Sequence, residues 1–191
     1  MKKLILTLAA IVLAVSAFAQ DQHLKFKGIP IDGPLNSFVS SLKSQGFISL
    51  WIQDGIASLS GTFAGYPQSN VIVVSTNDVV WKVIVTLPEQ DTWASVKQRY
   101  EEFKVSFETK YKVKPESEET FPGYPNEGSG VEYLAFSDER ATWVSLFIIP
   151  NGYAQLSIKS SMANSTKLQV WIEYFDRLNS DVRDRATMED I

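Results

Sequence analysis

Apolar residues recur with a helical period in two segments of the chain. The first, residues 34–45, opens with Pro34, which is favoured at the first helical position because the N–H it lacks would have no intrahelical acceptor. The second, residues 91–112, opens with Asp91 or Thr92 as its cap. Each segment carries one apolar stripe, so we predict two amphipathic helices that pack on a sheet. The stripe residues are Leu35, Phe38, Val39 and Leu42 in the first segment and Trp93, Val96, Tyr100, Phe103 and Phe107 in the second.

Strand-like segments follow each predicted helix. Asp-Gly at 54–55, Asn-Asp at 77–78 and Asn-Gly at 151–152 are turn dipeptides, and connections this short predict antiparallel pairing. In the fourth strand, alternation places Trp81 on the same side as its neighbouring core valines. Residues 114–130 are rich in Pro, Gly and Glu and are predicted to form one long loop. The predicted strands are residues 47–53, 56–63, 71–76 and 79–87 in the first half, and 131–137, 141–149, 153–161 and 167–175 in the second.

The predicted elements repeat the plan of one helix followed by four strands. We therefore predict an α+β fold with an antiparallel sheet of about eight strands and both helices on one face. The pattern does not decide whether the two meanders join into one sheet or form two. A single domain, residues 20–191, would contain two pseudo-repeats, about 24–90 and 91–176. Thr-Phe-Ala-Gly-Tyr-Pro at 62–67 and Thr-Phe-Pro-Gly-Tyr-Pro at 120–125 are a local sequence echo of this repetition.

The first 20 residues have the organisation of a secretory signal peptide. Lys2 and Lys3 precede an apolar run, and Ala17-Phe18-Ala19 is a small-x-small cleavage site. The uncharged stretch is at the short limit for a transmembrane helix, and the cleavage site closes it. We predict cleavage after Ala19 and a periplasmic or secreted protein that has no membrane span after cleavage.

Composition removes several chemical classes. The chain has no Cys and a single His, His23, which excludes thiol catalysis, Cys-ligated metals and sites with several His ligands. A net charge of −4 argues against nucleic acid as a partner. No nucleotide-binding, zinc-protease or nucleophile-elbow motif is present, so we predict no cofactor, no metal and no catalytic residue. His23 lies near the predicted mature N-terminus, where a side chain is more often exposed or at a strand edge than held for catalysis.

Several strands are apolar on both sides of the pleat, and one of these sides is rich in aromatic rings. If the aliphatic residues face the helices, the rings at neighbouring positions face away from them. A large exposed aromatic surface usually marks a binding site. The alternative is that sheet curvature, the long loop or the C-terminal tail covers the rings. The aliphatic core set is Ile48, Leu50, Ile52, Val144, Leu146, Ile148, Leu156, Ile158, Leu168, Val170 and Ile172. The candidate binding residues are Trp51, Tyr133, Trp143, Phe147, Tyr153, Trp171 and Phe175, together with Tyr66 and Tyr124.

Short segments spread over the chain carry a resemblance. They are Phe-Lys-Gly-Ile-Pro-Ile-Asp-Gly at 26–33, Leu-Ser-Gly-Thr-Phe-Ala-Gly-Tyr at 59–66, Gln-Leu-Ser-Ile at 155–158 and Val-Trp-Ile-Glu-Tyr-Phe-Asp at 170–176. In these the chain resembles uncharacterised secreted proteins of gut Bacteroidetes, which implies topology and export but no activity. That group tends to have Gly at the position of Lys112, which implies that the second helix here ends without a left-handed residue. The tandem plan is also similar to β-lactamase-inhibitor proteins, which bind through an aromatic-bearing concave sheet.

These observations favour a non-enzymatic binding protein that engages a protein or envelope component through one sheet face. A hydrolase acting on glycan or peptidoglycan is the first alternative, and it needs two carboxylates about 5–10 Å apart. A purely structural envelope protein is the second. The carboxylates available for acid/base chemistry are Glu116, Glu118, Glu119, Glu127 and Asp138.

Overall fold

The elements along the chain follow the predicted order of a helix and its strands, twice over. The computed structural model describes residues 23–180, so the predicted signal peptide and the last part of the C-terminal tail lie outside the described residues. The helices are α1 (Leu35–Ser44), α2 (Trp93–Tyr111) and the short α3 (Tyr133–Ser137). The strands are β1 (Lys25–Phe26), β2 (Ile29–Pro30), β3 (Ile48–Gln53), β4 (Ile56–Phe63), β5 (Tyr66–Thr76), β6 (Val79–Thr86), β7 (Glu116–Thr120), β8 (Thr142–Ile149), β9 (Gly152–Ser160) and β10 (Leu168–Asp176).

Strands β3 to β10 form one antiparallel sheet in the order β3-β4-β5-β6-β10-β9-β8-β7. Each half of the chain supplies four neighbouring strands, and the halves join where β6 pairs with β10, with Val85 opposite Ile172. The two meanders are therefore one sheet. The predicted α+β class with about eight antiparallel strands is confirmed.

Both main helices pack on the same face of this sheet. Helix α1 covers β3 to β6, and α2 covers β8 to β10. Their apolar stripes belong to one continuous core with sheet residues such as Val73 and Ile172, both fully buried. Burying these stripes removes apolar surface from water, which is the main stabilising contribution to such a two-layer fold.

The helix ends show how local sequence sets the boundaries. The Thr92 hydroxyl oxygen accepts a hydrogen bond from the Ser95 backbone N–H at 3.2 Å, as an N-cap does. The N-terminus of helix α1 is capped by a residue far away in the sequence. The Leu35 N–H donates a hydrogen bond to Asp78 Oδ1 (3.1 Å), and Asp78 lies in the β5–β6 turn. At the end of α2, Lys112 adopts the left-handed conformation (φ +56°). The expectation that this helix ends without a left-handed residue is therefore wrong. The Lys112 N–H donates a hydrogen bond to the Glu108 carbonyl at 2.9 Å, which offsets part of the steric cost of the left-handed conformation.

Two predictions in the second half of the chain are wrong. Residues 116–120, inside the predicted loop, form the edge strand β7, and most of the predicted strand 131–137 forms α3. Glu and Ser have low strand propensity, so β7 depends on its pairing with β8, where Glu118 lies opposite Val144. A short apolar run does not distinguish a strand from a buried helical turn, and in α3 it is Ala135 and Phe136 that are buried.

Turn geometry also differs in detail from the prediction. Strand β5 begins at Tyr66 instead of residue 71, because Ala64 and Gly65 form a two-residue turn with positive φ at both positions. The β8–β9 turn lies at residues 150–151, one residue earlier than predicted, since Ile149 pairs with Gly152. A Cβ on Gly152 would lie 2.0 Å from the Phe175 carbonyl oxygen, so only glycine fits at this first position of β9.

A β-bulge moves Trp81 out of the core. Val74 pairs with Lys82 while Ser75 pairs with Val80, which leaves Trp81 as the extra residue. Val80 is fully buried in the core, whereas Trp81 lies 6.2 Å from the ring of Phe175. The predicted side for Trp81 is therefore wrong, because one inserted residue reverses the alternation.

Candidate functional site

The sheet has one face covered by α1 and α2 and one that we call the open face. Within residues 23–180, neither main helix packs on the open face. Open-face residues alternate along each strand with those of the core, and strand register aligns them in rows. One row crosses all eight strands and consists of Ile48, Ser60, Asn70, Thr86, Trp171, Ser157, Val144 and Glu118.

Aromatic rings cluster on the open face near the end of β10. Phe175 and Tyr153 stack with their centroids 4.3 Å apart, and Trp81 packs on the same Phe175. The Lys82 ammonium lies 4.4 Å from the centroid of the Phe175 ring. This end of the face therefore combines ring surface with a cation–π contact.

A charged line separates these rings from Trp171. Glu173 is 5% exposed and accepts contacts from Lys82 (2.6 Å) and Lys159 (2.9 Å). Burial alone would raise the pKa of Glu173, but the hydrogen bonds from the two lysines outweigh it, so that pKa is lowered. The Lys159 ammonium also lies 4.7 Å from the Trp171 ring. The carboxylate is ionised, and Lys159 is held beside Trp171 by both interactions.

Four of the predicted binding residues do lie on the open face. Trp51 is 48% exposed, while Tyr153, Trp171 and Phe175 are half-buried. Their position follows from register, since Trp51 pairs with Ser58 and Phe175 with Lys82. Whether these rings bind a partner remains a prediction.

Trp143 and Phe147 lie in the core, so the prediction that they face away from both helices is wrong. Trp143 is 6% exposed and lies 4.9 Å from the ring of Trp93, and Phe147 is fully buried, 5.3 Å from Phe107. Ile148, assigned to the core, is 60% exposed. Strand β8 is apolar on both sides, so its sequence does not set the phase; the larger rings fill the space beneath α2. The same phase error applies to Val144 and Leu146, which lie on the open face.

Three of the four predicted tyrosines lie away from the open face, and Tyr153 is the exception. Tyr66 packs 5.8 Å from Phe103 of α2, with the Arg99 guanidinium 4.5 Å from its ring. Tyr133 lies on α3, partly buried against the core, and Tyr124 is exposed in the loop after β7. The aromatic set named from the sequence is therefore not one surface.

A groove opens where β8 and β9 separate. Their pairing ends at Val144 opposite Ser157, although β9 continues alongside β10 and β8 alongside β7. The diverging strands and the end of α3 enclose about 690 Å³, a size typical of small-ligand sites. The groove is lined by Thr142, Trp143, Val144, Gln155, Ser157, Ile158, Lys159, Ser160 and Trp171 from the strands, and by Phe136, Ser137, Glu139, Ala141 and Ser165 from α3 and the loops.

Three residues that line this groove each have a buried side-chain polar atom without a hydrogen-bond partner. These atoms are the Nε1 atoms of Trp143 and Trp171 and the hydroxyl of Ser157, and no other described side chain has such an atom. Ser157 is 3% exposed and lies directly opposite Trp171 in the ladder. Each buried polar group without a hydrogen-bond partner lowers the stability of the folded protein by about 1–3 kcal/mol. Three such groups among the lining residues of one groove suggest that a ligand supplies the missing partners. Sequence reasoning missed the groove, although the alternation of Gln155, Ser157 and Lys159 with apolar residues signalled a polar open face.

Three of the five candidate carboxylates for hydrolysis already take part in structural contacts. Glu119 contacts Lys104 (2.5 Å) and the Tyr100 hydroxyl under α2, and Asp138 pairs with Arg140. Glu127 accepts from Lys97 and Trp93, and these hydrogen bonds lower its pKa. Glu116 and Glu118 lie on the exposed edge strand β7.

A second groove, at the start of α2, contains the only carboxylate pair beside aromatic walls among the grooves described. It encloses about 320 Å³ and is lined by Asp91 and Glu132 with Trp93 and Tyr133. Asp91 pairs with Lys167 at 3.0 Å, and Glu132 accepts from a loop N–H at 2.8 Å. Both carboxylates already serve structural contacts, which does not favour acid/base catalysis there.

His23 is half-buried and contacts a buried polar cluster. Asp176 is fully buried and accepts from the Leu24 N–H (2.6 Å) and the Asn179 N–H (3.0 Å), with His23 Nδ1 at 3.1 Å. The Asn179 side-chain amide donates to the Ile31 carbonyl. These contacts tie the N-terminal segment to the end of β10, which indicates a structural role.

Comparison of the chain with protein-family models, curated proteins and solved structures found no significant match. The resemblance stated from the sequence therefore remains a prediction. Across residues 23–180, no helix is long and apolar enough to cross a bilayer. The same part of the chain has no group of three His, Asp or Glu side chains arranged to hold a metal ion.

Proposed function

We propose that this protein is an exported, non-enzymatic binding protein that engages an envelope component through its open face. The groove between β8 and β9 receives an uncharged, hydroxyl-rich part of that component, such as a saccharide unit. The observation that carries the proposal is that three residues lining one groove each have a buried polar atom without a partner, and that two of them, Ser157 and Trp171, lie directly opposite each other on the open face.

The unpartnered atoms define what the ligand must supply. An indole N–H only donates, so the open-face Trp171 requires an acceptor oxygen, whereas the Ser157 hydroxyl opposite it can donate or accept. A sugar hydroxyl can fill either role. A ligand that completes the hydrogen bonds of Trp171 and Ser157 recovers free energy that the unliganded protein lacks.

The lining favours a neutral ligand over a charged one. Lys159 pairs with Glu173 at 2.9 Å, and within the groove lining its charge is balanced by that of Glu139. The remaining polar groups are mostly hydroxyls and one amide, and Glu139 is the only carboxylate that lines the groove. A retaining or inverting glycosidase needs a pair of carboxylates flanking the bond, so this lining supports binding over hydrolysis.

Calorimetric titration with neutral disaccharides and trisaccharides tests the proposal, with uronic-acid analogues of the same size as comparators. We expect the neutral series to bind, and Trp171→Phe and Ser157→Ala each to weaken binding about 2- to 10-fold, as loss of one hydrogen bond does. Ser58→Ala is the matched control, since Ser58 is a buried open-face serine that does not line the groove.

Three results would contradict the proposal. One is absence of binding across both series, and another is an equal loss of affinity in the Ser58 control. Cleavage of the oligosaccharide, detected by mass spectrometry, would favour the hydrolase alternative.

A further inference from the structure

The two edges of the sheet are built differently. Strand β7, at one edge, carries Glu116, Glu118 and Glu119. Strand β3, at the other edge, reads Ile-Ser-Leu-Trp-Ile-Gln and contains no charged residue or proline. An edge strand presents unpaired N–H and C=O groups, and proteins commonly block such edges with charges, prolines or bulges. The β7 edge is protected by charge, whereas the β3 edge has neither charge nor proline and carries only a bulge at Leu50.

Strand β3 also concentrates the exposed apolar surface. Of nine exposed large apolar side chains among the described residues, four lie in this six-residue strand. They are Ile48 (69% exposed), Leu50 (56%), Trp51 (48%) and Ile52 (46%). They project on both faces, since Trp51 aligns with open-face Ser58 and Ile52 with core-face Ala57. A strand of this kind is stabilised by pairing with a second apolar strand.

We propose that β3 pairs antiparallel with β3 of a second copy of this chain, forming a closed two-fold dimer with a continuous sheet. A two-fold interface brings the same surface of both copies together, so that surface must be complementary to itself. Strand β3 meets this requirement because it is uncharged and apolar on both faces. The alternative pairing, β3 of one copy on β7 of the next, would place glutamates against Trp and Ile and would leave an open-ended fibre. The asymmetry of the edges therefore selects the closed pair.

Charge at the ends of the strand supports the same arrangement. In the register that overlaps the whole strand, Ile48 of one copy lies opposite Gln53 of the other. This register keeps open-face residues together, because the bulge at Leu50 shifts the alternation by one. Asp54 of one copy then lies near Phe47 of the other, where the Lys27 ammonium is 5.4 Å from the Phe47 ring. Each end of the interface would thus bring a carboxylate towards a lysine.

Sedimentation velocity of the exported, processed protein tests the dimer, which goes beyond the proposed ligand site. We expect the wild type to sediment as a dimer at micromolar concentration and Leu50→Lys or Trp51→Lys to sediment as monomers. Both substituted side chains are largely exposed, so far-UV circular dichroism should show folded variants. Glu118→Lys, on the opposite edge, is the matched control and should remain a dimer.

Hydrogen exchange supplies a second readout that does not depend on substitution. Outward-pointing amides of residues 48–53 should be protected in the dimer and lose that protection on dilution. A wild type that is monomeric at all concentrations overturns the proposal. So does a dimer that Leu50→Lys leaves intact or Glu118→Lys dissociates, and so does protection of β3 that appears only when a different protein is bound.

Discussion

Replacing Ser157 by Ala should make the unliganded protein more stable. The substitution removes a buried hydroxyl that has no hydrogen-bond partner and keeps its Cβ packing. Leaving such a group unsatisfied costs about 1–3 kcal/mol. Because the groove is open to solvent at its rim, we expect a gain near the lower end, about 1 kcal/mol. For a domain of this size that corresponds to a rise in Tm of about 2–4 °C.

Ser145 provides a control of the same residue type and burial on the neighbouring strand. Its hydroxyl is fully buried and lies 2.5 Å from the Tyr100 hydroxyl and 2.7 Å from that of Ser117. Ser145→Ala should therefore destabilise the protein by about 1–2 kcal/mol, because it leaves partners unsatisfied. Two serines that look alike in the sequence should respond in opposite directions.

Urea denaturation of both variants at 25 °C measures these differences in unfolding free energy. The comparison requires that the dependence of the free energy on urea concentration is the same in the variants and the wild type. If Ser157→Ala proves less stable than the wild type by 1 kcal/mol or more, the hydroxyl has a partner in solution. Ser157 would then need no hydrogen bond from a ligand, which would contradict its proposed role in binding. A gain in stability accompanied by a loss of binding would instead show stability given up for function.

Three further substitutions test the rest of the structure. Glu173→Gln should destabilise the protein most above pH 4.5, because the lowered pKa of Glu173 means that the folded state favours the ionised carboxylate. The difference in unfolding free energy between variant and wild type should vanish as the pH falls through that lowered pKa. Urea denaturation at a series of pH values measures this difference. Asp176→Ala should cost about 2–4 kcal/mol, since the Leu24 and Asn179 N–H groups lose their buried acceptor, and hydrogen exchange at Leu24 should accelerate. Lys112→Gly should raise stability by about 0.5–1 kcal/mol by relieving left-handed strain, and an unchanged Tm would contradict that reading.

Local sequence predicted the parts of the fold that depend on local interactions. The two helices came from 3.6-residue periodicity and a Thr cap, and two hairpins came from turn dipeptides such as Asp54-Gly55. Strand β7 was missed because its pairing with β8, and not its propensity, determines its conformation. Which side of β8 faces the helices was also not local information. Both sides are apolar, and the choice depends on rings of α2 that lie about 40–50 residues away in the chain.

The candidate site was less predictable for the same reason. Trp171 could be placed on the open face from the alternation of β10, which is regular along its length. The groove beside it depends on where the β8–β9 ladder ends, and no residue near Val144 or Ser157 signals that end. Bulges add a second source of error, because the extra residue at Trp81 reverses a phase that sequence alternation appeared to fix.

The two proposals together predict how the protein should meet a polymeric ligand. A two-fold axis perpendicular to the joined sheet at β3 relates the two open faces, so each dimer carries two equivalent grooves. Each groove lies about six strands from the β3 edge, and at about 4.8 Å per strand the two are separated by roughly 60 Å along the joined sheet. One dimer would then bind two saccharide units of the same polymer, one in each groove. The apparent affinity would be about 10²-fold or more above that of one groove. Leu50→Lys should remove this gain for an immobilised neutral polysaccharide and leave the affinity for a soluble disaccharide unchanged, as measured by surface plasmon resonance and calorimetry. Equal losses for both ligands would mean that the edge substitution disturbs the groove itself, and no loss for either would mean that the two sites act independently.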